Sequence, residues 1–358
     1  MFHSISFMKK YLYTFGWFFT FGALTHAQTG GLNVFSFLNH APSARIAALG
    51  GSQIALRSED LALGALNPAL LNEQMHNALS FNYESFLAGV GDGYVGYGYH
   101  VSKWKTTFQG GVQFINYGTF KGTDEFGNPT PEFKAGEYAL TIGAGYAINE
   151  RLSVGVNAKY ISSQLEMYRS TGIAGDIGGS YYDPESQFGA AIVLRNVGSQ
   201  LSAYNNGVKG PTEADLQIGV SKKLTRAPLR FGIVLHDLNR WHLLYTNPLD
   251  NQVSLLGETS SAPSAFAQGL DNAFRHVILN GELVFGKREN FRVSFGYNHQ
   301  LKKELSVNNV RGLSGFSFGL SVRVNRFRLE YGTGKYHIAG GGDYLSISTN
   351  LGEFKKKI

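Results

Sequence analysis

The sequence has no cysteine among its 358 residues. That absence excludes a disulfide framework, a cysteine-based zinc site, a thiol nucleophile, a covalently attached c-type haem and a lipoprotein anchored through an N-terminal Cys. Charge is scarce too, with Asp, Glu, Lys and Arg at 16% of the chain. No long apolar run follows the N-terminus, and the mean hydropathy is slightly negative. A bundle of membrane-spanning helices is thereby excluded. Glycine, by contrast, is abundant: 45 residues, about 13% against a usual ~7%. Aromatic residues also reach 13%, with 26 Phe and 19 Tyr. Abundant glycine and aromatics with few charges point to β-structure in which apolar and polar residues alternate. The length fits one large domain or two ordinary ones.

The N-terminus has the order of an export signal. Lys9 and Lys10 form a basic start, Tyr11 to Leu24 an apolar stretch, and Thr25-His26-Ala27 a small-residue end. The apolar part is about 14 residues, short of the roughly 20 a spanning helix needs. A signal peptide over 1–27 is expected, with Gln28 as the mature N-terminus. Met8 is a candidate start. The formal charge of +6 then falls to 30 minus 26, or +4. The basic residues are scattered, so the charge gives no support for a nucleic-acid partner.

Period-two alternation dominates the rest, as strand geometry requires. Leu152, Val154, Val156, Ala158 and Tyr160 alternate with Ser153, Gly155, Asn157 and Lys159. Phe291, Val293, Phe295 and Tyr297 alternate with Arg292, Ser294, Gly296 and Asn298. Similar runs start at Phe316, Phe327 and Leu345. One face is apolar with aromatics near its ends; the other carries Gly, Ser, Asn and charge. A soluble sandwich puts its apolar face inside. These strands are about ten residues or more, longer than the usual five or six, and a tilted strand crossing lipid needs roughly 9–11. The expected strands are 77–86, 92–101, 105–117, 133–148, 151–163, 171–182, 186–195, 213–224, 228–238, 275–286, 289–300, 314–323, 326–335 and 343–352. Short connections alternate with long ones at 118–132, 164–170, 196–212, 239–274, 301–313 and 336–342. This predicts an all-β fold: a fourteen-stranded antiparallel transmembrane β-barrel over 77–358, with both termini in the periplasm.

Residues 28–76 differ. They hold small-residue, weakly helical pieces broken by Gly and Pro: Leu32 to Leu38, Ser43 to Gly51, and Ser58 to Leu66 leading into Asn67-Pro68-Ala69-Leu70-Leu71. A fourteen-stranded barrel has an open lumen unless something fills it, and this segment is placed to be an N-terminal hatch.

These residues carry a resemblance. Arg45, Gly50-Gly51, Glu59-Asp60 and Asn67-Pro68 are similar to the N-terminal hatch of the long-chain fatty-acid transporter superfamily, whose members are fourteen-stranded barrels plugged in this way. Phe37-Leu38-Asn39, Ser43 to Gly51, Asn67 to Leu71, Met75-His76-Asn77 and Gly93 to Tyr97 resemble, within it, the PorQ branch of the PorV/PorQ family of the Bacteroidetes type IX secretion system. The motif-level resemblance covers about residues 35–100. The chain ends Phe354-Lys355-Lys356-Lys357-Ile358, without the terminal aromatic common in barrel proteins. The resemblance implies a cell-surface attachment complex with a PorZ-like surface protein, a PorU-like sortase and a PorV-like barrel, near outer-membrane lipid and lipopolysaccharide. It implies no bond chemistry by the barrel itself.

Several motifs look chemical. Gly315-Phe316-Ser317-Phe318-Gly319 matches the hydrolase elbow, which needs a strand-to-helix turn; here it lies in an alternating strand. Gly91 to Gly96 matches G-x-G-x-x-G but opens a strand, not a helix. His236, Asp237 and His242 do not have the H-E-x-x-H spacing. Gly340-Gly341-Gly342-Asp343 reads as an outer turn. No catalytic residue, metal site or cofactor is expected. The polar face holds Lys159, Arg195, Arg230, Glu282, Arg292, Arg323, Arg328 and Glu330. Each would cost a few kcal/mol in lipid near the midplane, so they are expected to face the lumen and pair with hatch acids such as Glu59 and Asp60. Two functions remain: a surface-protein anchor working through loops 239–274, 196–212 and 118–132, or a hydrophobic-compound transporter of the fatty-acid type. Transport needs an apolar pocket between hatch and wall, and the assigned lumen-facing residues are Gly, Ser, Asn and Arg.

Overall fold

A computed structural model describes residues 33–86, 89–205, 207–244, 264–305, 312–337 and 340–354. The expected signal peptide and residues 355–358 lie outside them. Fourteen antiparallel strands close into one barrel: β1 (Ala78–Ser85), β2 (Gly91–Val101), β3 (Thr106–Thr123), β4 (Pro129–Ala147), β5 (Leu152–Leu165), β6 (Tyr168–Asp183), β7 (Phe188–Ser202), β8 (Asp215–Lys223), β9 (Leu229–Leu235), β10 (Val277–Phe285), β11 (Phe291–Asn298), β12 (Phe316–Val324), β13 (Phe327–His337) and β14 (Gly340–Asn350). Each strand pairs with its sequence neighbours, and β1 closes on β14 from Ala78↔Asn350 to Ser85↔Asp343. Closure leaves no unpaired edge.

Burial follows the alternation. In β5 every outward position from Leu152 to Tyr160 except Ala158 is a large apolar residue, while Ser153, Asn157 and Lys159 are buried inside. Ile142 is 73% exposed on the outward face. Exposed aromatics occur toward both strand ends, with Tyr97, Tyr99, Tyr146, Phe285, Phe291 and Phe327 toward the short turns and Tyr83 and Phe316 toward the long loops. A continuous apolar exterior with aromatic girdles is what a lipid-embedded barrel requires, and it far exceeds the patches a water-soluble monomer carries.

Four expected long loops are corrected. Within 196–212, β7 runs on to Ser202, past Asn196 at a φ of 53° where the β6–β7 register shifts. Within 118–132, β3 runs to Thr123 and β4 begins at Pro129, so the chain is a projecting hairpin. Within 164–170, β5 and β6 are separated only by Glu166 and Met167. Within 336–342, β13 reaches His337 and β14 starts at Gly340, so Gly340–Asp343 is strand and not an outer turn. The physical reason is common to the last three. Past the lipid boundary both faces of a hairpin meet water, so the apolar alternation fades while the backbone ladder continues. Phe120 and Phe133, paired across β3–β4, stack at 5.3 Å in that projecting part.

The segment before β1 begins with a 3-10 turn, Ser36–Asn39, followed by α1 (Ala44–Ala48) and α2 (Ala62–Leu66). Ser43 caps α1, its Oγ accepting from Ile46 N at 3.3 Å. The helix stops at Gly50, whose φ of 90° suits glycine, and Gly51 N donates back to Ile46 O at 3.1 Å. Asp60 Oδ1 accepts from Ala62 N at the start of α2. A second 3-10 turn, Pro68–Leu70, follows Asn67. α1 lies against β11 to β14, and the Pro68–Leu70 turn against β4 to β6. Ser52 and Ala55 reach β8 through Gln217 and Ser221. The segment thus packs inside the barrel against strands on several sides of the wall. Ile46, Ile54, Leu56, Leu63, Leu66 and Leu70 form its core with Tyr94, Val193, Val234 and Ile278 of the wall.

At the long-loop end stand α3 (Ala265–Arg275) and α4 (His299–Glu304). α3 is amphipathic in reverse. Its buried residue is Asn272, bonded to Leu243 N and Trp241 O. Phe266, Leu270 and Phe274, four residues apart on one stripe, are 76%, 45% and 54% exposed.

Candidate functional site

The lumen holds three features: a glycine seat, a charge network toward the short turns, and an open cavity toward the long loops. The seat comes from three glycines paired across neighbouring strands, Gly145↔Gly155 and Gly155↔Gly178. Their missing side chains let Asn67 and Pro68 touch the wall. A Cβ at Gly155 would lie 2.4 Å from the Pro68 carbonyl carbon, and one at Gly178 only 2.1 Å from Asn67 Oδ1. Asn67 also donates to Ile54 O at 2.9 Å and accepts from Ala69 N at 3.0 Å. The Asn67-Pro68 pair singled out in the sequence is thus the part that sits on this row. On the opposite wall Gly332 meets the Ala44 carbonyl in the same way, at 2.2 Å from its ideal Cβ.

The network joins the N-terminal segment to the barrel. Arg45 makes a two-pronged bond to Glu282, Nε to Oε1 and Nη2 to Oε2, both at 2.8 Å. Its Nη1 reaches Ser58 Oγ at 3.1 Å and Asp60 Oδ2 at 3.6 Å. Arg230 bonds Glu282 at 2.7 Å and Glu289 at 2.5 Å, and Lys223 meets Glu289 at 3.0 Å. Arg292 pairs with Glu330 at 2.5 Å and stands 3.6 Å from Glu289. Glu59 takes Arg323 at 3.0 Å and Arg328 at 2.8 Å, while Arg323 also holds Glu353 at 2.8 Å. Among the described residues, six cations therefore face six carboxylates, formally neutral. Arg45, Glu282, Arg292 and Glu330 are buried, and removing one partner of such a buried pair costs about 3–5 kcal/mol, whereas Glu59 and Glu353 are exposed and their pairs contribute less. Lys159 and Arg195 stand apart: Lys159 pairs with Asp176 of β6 at 2.9 Å, and Arg195 Nη2 points to Leu38 O at 3.5 Å. Lys223, Glu289 and Glu353 carried no sequence signal, because each sits at or beside a turn where alternation stops.

Burial pulls the Arg45 pKa down, but Glu282 and then Asp60 outweigh it and hold the guanidinium above its ordinary value. Burial pushes Asp60 up, with Glu330 adding to it. For Glu59 burial is outweighed by Arg328 and Arg323, and its pKa is lowered. For Glu289 burial is outweighed chiefly by Arg230, bringing it to about 2. Both lowered groups stabilise the fold above the ordinary carboxylate value of 4.5, and that contribution is lost as pH falls toward about 2. Asp60 has the opposite sign but is a single group. We expect acidification through that window to expose residues 34–76 to protease while the barrel keeps its folded gel mobility. Protection unchanged down to pH 2 would refute a charge-held segment.

Toward the long loops lies a cavity of about 780 Å³. Phe37, Val90, Ile115, Tyr117, Ile278 and Tyr344 line its apolar part; Glu84, Asp92, Glu213, Asp215 and Asp237 line its polar part with His40, Arg195 and Arg240. His40 Nδ1 and Asp92 Oδ2 are 2.5 Å apart. Burial lowers the His40 pKa, but Asp92, Glu84 and Glu137 together raise it.

The chemical-looking motifs resolve as structure. Ser317 is buried near the start of β12, its hydroxyl donating to Ala48 O at 2.9 Å and pinning α1. Gly91 to Gly96 lies in β2. His236 and Asp237 bond each other at 3.0 Å, and Asp237 also pairs with Arg240, whereas His242 is exposed.

Comparison with known proteins gives the fold. The sequence matches no protein-family model and no curated protein. Among solved structures, a TodX monoaromatic hydrocarbon channel mutant aligns over 87% of this chain and 97% of its own, at 12% identity and a TM-score of 0.50. The toluene transporter TodX of Pseudomonas putida aligns at 10% identity over 86% of this chain and 96% of its own, with a TM-score of 0.49. A FadL homologue of Pseudomonas aeruginosa aligns at 9% over 86% and 98%, with 0.47. The chain has the fold of a fourteen-stranded outer-membrane barrel.

Proposed function

We propose that this protein is an exported outer-membrane anchor of the type IX secretion system, holding a PorZ-like surface protein at its long-loop end. A PorU-like sortase, a PorV-like barrel and lipopolysaccharide are its neighbours on this reading, and the barrel performs no bond chemistry. The observation that carries it is the lumen. A segment seated on glycine rows and tied to the wall by balanced charges, the Arg45–Glu282 pair among them buried, suits a rigid support. The hatch motifs similar to the PorV/PorQ family supply the system. The reversed helix α3 supplies a docking face, since Phe266, Leu270 and Phe274 turn away from the body, and exposed aromatic anchors are what partner proteins bury.

Tagged protein pulled from outer membranes, with its partners identified by mass, tests the reading. Replacing Phe266 and Phe274 by Ser is expected to reduce capture of the surface partner by at least about tenfold, with unchanged folded gel mobility. Shortening 239–274 should abolish capture. A loop-shortened protein that still co-purifies with its surface partner would refute the anchor.

A second reading is uptake of a hydrophobic compound. The barrel fold shared with a hydrocarbon channel speaks for it, as does the partly apolar cavity at the long-loop end. The polar lumen wall speaks against it. A deletion strain separates the two: lost surface attachment of cargo with normal fatty-acid uptake supports the anchor, and the reverse supports transport.

A further inference from the structure

The long-loop cavity contains a side-chain cluster that neither reading uses. His40 of the N-terminal segment, Glu84 of β1 and Asp92 of β2 converge there, with one ligand atom from each lying within 4.8 Å of the others. Glu84 and Asp92 are directly paired across β1–β2, and both point inward. They are 4% and 6% exposed. Gly342 lets Glu84 lie flat against β14, since a Cβ there would fall 1.8 Å from Glu84 Oε1.

The charge balance is the argument. The network toward the short turns matches every carboxylate with a cation. Here two buried carboxylates stand together, and among the described residues neither has a Lys or Arg at ion-pair distance; His40, bonded to Asp92, is the one basic partner. A third acid, Glu137, is 8% exposed nearby; its Oε1 accepts from Tyr117, and its charge acts on His40. Like charges held together out of water must be neutralised by a shared proton or by a cation. The cluster lines an open cavity, so a hydrated ion has a way in and room to keep waters.

We propose that His40, Glu84 and Asp92 bind a divalent transition-metal cation of the Zn²⁺ or Mn²⁺ class at the long-loop mouth of the lumen. An imidazole nitrogen with two carboxylates suits such ions, whereas an all-oxygen set would suit Ca²⁺ or Mg²⁺. The bound ion ties the start of the N-terminal segment to β1 and β2. It fastens the loop side of the segment as the charge network fastens the turn side.

The test uses full-length protein in detergent, stripped with chelator and titrated calorimetrically with ZnCl₂, MnCl₂ and CaCl₂. A single saturable equivalent of Zn²⁺ or Mn²⁺ is expected, bound more tightly than Ca²⁺. His40→Ala and Asp92→Asn should each weaken it by at least about tenfold, while Glu213→Gln, elsewhere in the cavity, should not. Folded gel mobility checks each variant, and Glu84→Gln replaces any that fails it. No saturable binding, or binding indifferent to these substitutions, overturns the site and leaves a shared proton as the neutralising device. Tighter Ca²⁺ binding overturns the assigned class.

Discussion

Reversing the charge of Arg45 is expected to release the N-terminal segment while the barrel stays closed. In the native protein Arg45 is buried, grips Glu282 with two bonds, and faces Asp60. Arg45→Glu puts a third carboxylate beside those two, in a space that water does not reach. Breaking one buried pair costs about 3–5 kcal/mol, and the new repulsion adds to it. The fourteen-strand ladder does not depend on this contact, so the loss falls on the hatch. Protease should then cut within residues 34–76, and the heat-modifiable barrel band should persist. Arg45→Met is the graded control. It leaves Glu282 with Arg230 at 2.7 Å, so its effect should be clearly smaller. Equal protection in wild type and Arg45→Glu would mean that the glycine seats alone hold the segment.

How much of this was readable in the chain depends on where the informative contact lies. The strands were readable because an apolar surrounding on one side and a polar lumen on the other impose period-two alternation. The inward charges followed from the same rule: Arg292 and Glu330 both fall on the polar face and prove to be partners. The rule also marks Glu84 and Asp92, on the inward register of Ser80, Asn82 and Tyr94, yet their meeting with His40 depends on a fold-back that no local pattern encodes. The projecting β3–β4 hairpin was hidden for the opposite reason, since water on both faces removes the alternation. The glycines were visible as composition but not as a row. Gly145, Gly155 and Gly178 belong to three strands, and only their register brings them side by side under Asn67 and Pro68.

That row yields the other large effect. Gly155→Val is expected to unseat the Pro68–Leu70 turn. The new Cβ would stand 2.4 to 2.6 Å from three backbone atoms, Pro68 C, Pro68 O and Ala69 N, and backbone cannot swing aside as a side chain can. Either β5 bows outward against its ladders to β4 and β6, or the turn lifts off and drags Asn67 from Ile54 O. Overpacking of this kind costs about 1–3 kcal/mol, and the bulk added on Cβ raises the demand further. The ladder opposes the first route through many paired residues, so the turn should yield and residues 34–76 should become protease-sensitive. Gly110→Val is the control: Gly110 faces outward on β3, and no atom comes within 4 Å of its ideal Cβ. Valine also favours strands, so Gly110→Val should leave the hatch protected and the melting of the barrel band unchanged or slightly raised. If the two variants melt and digest alike, the close approach of Pro68 to the wall does not hold the segment, and the charge network must hold it alone.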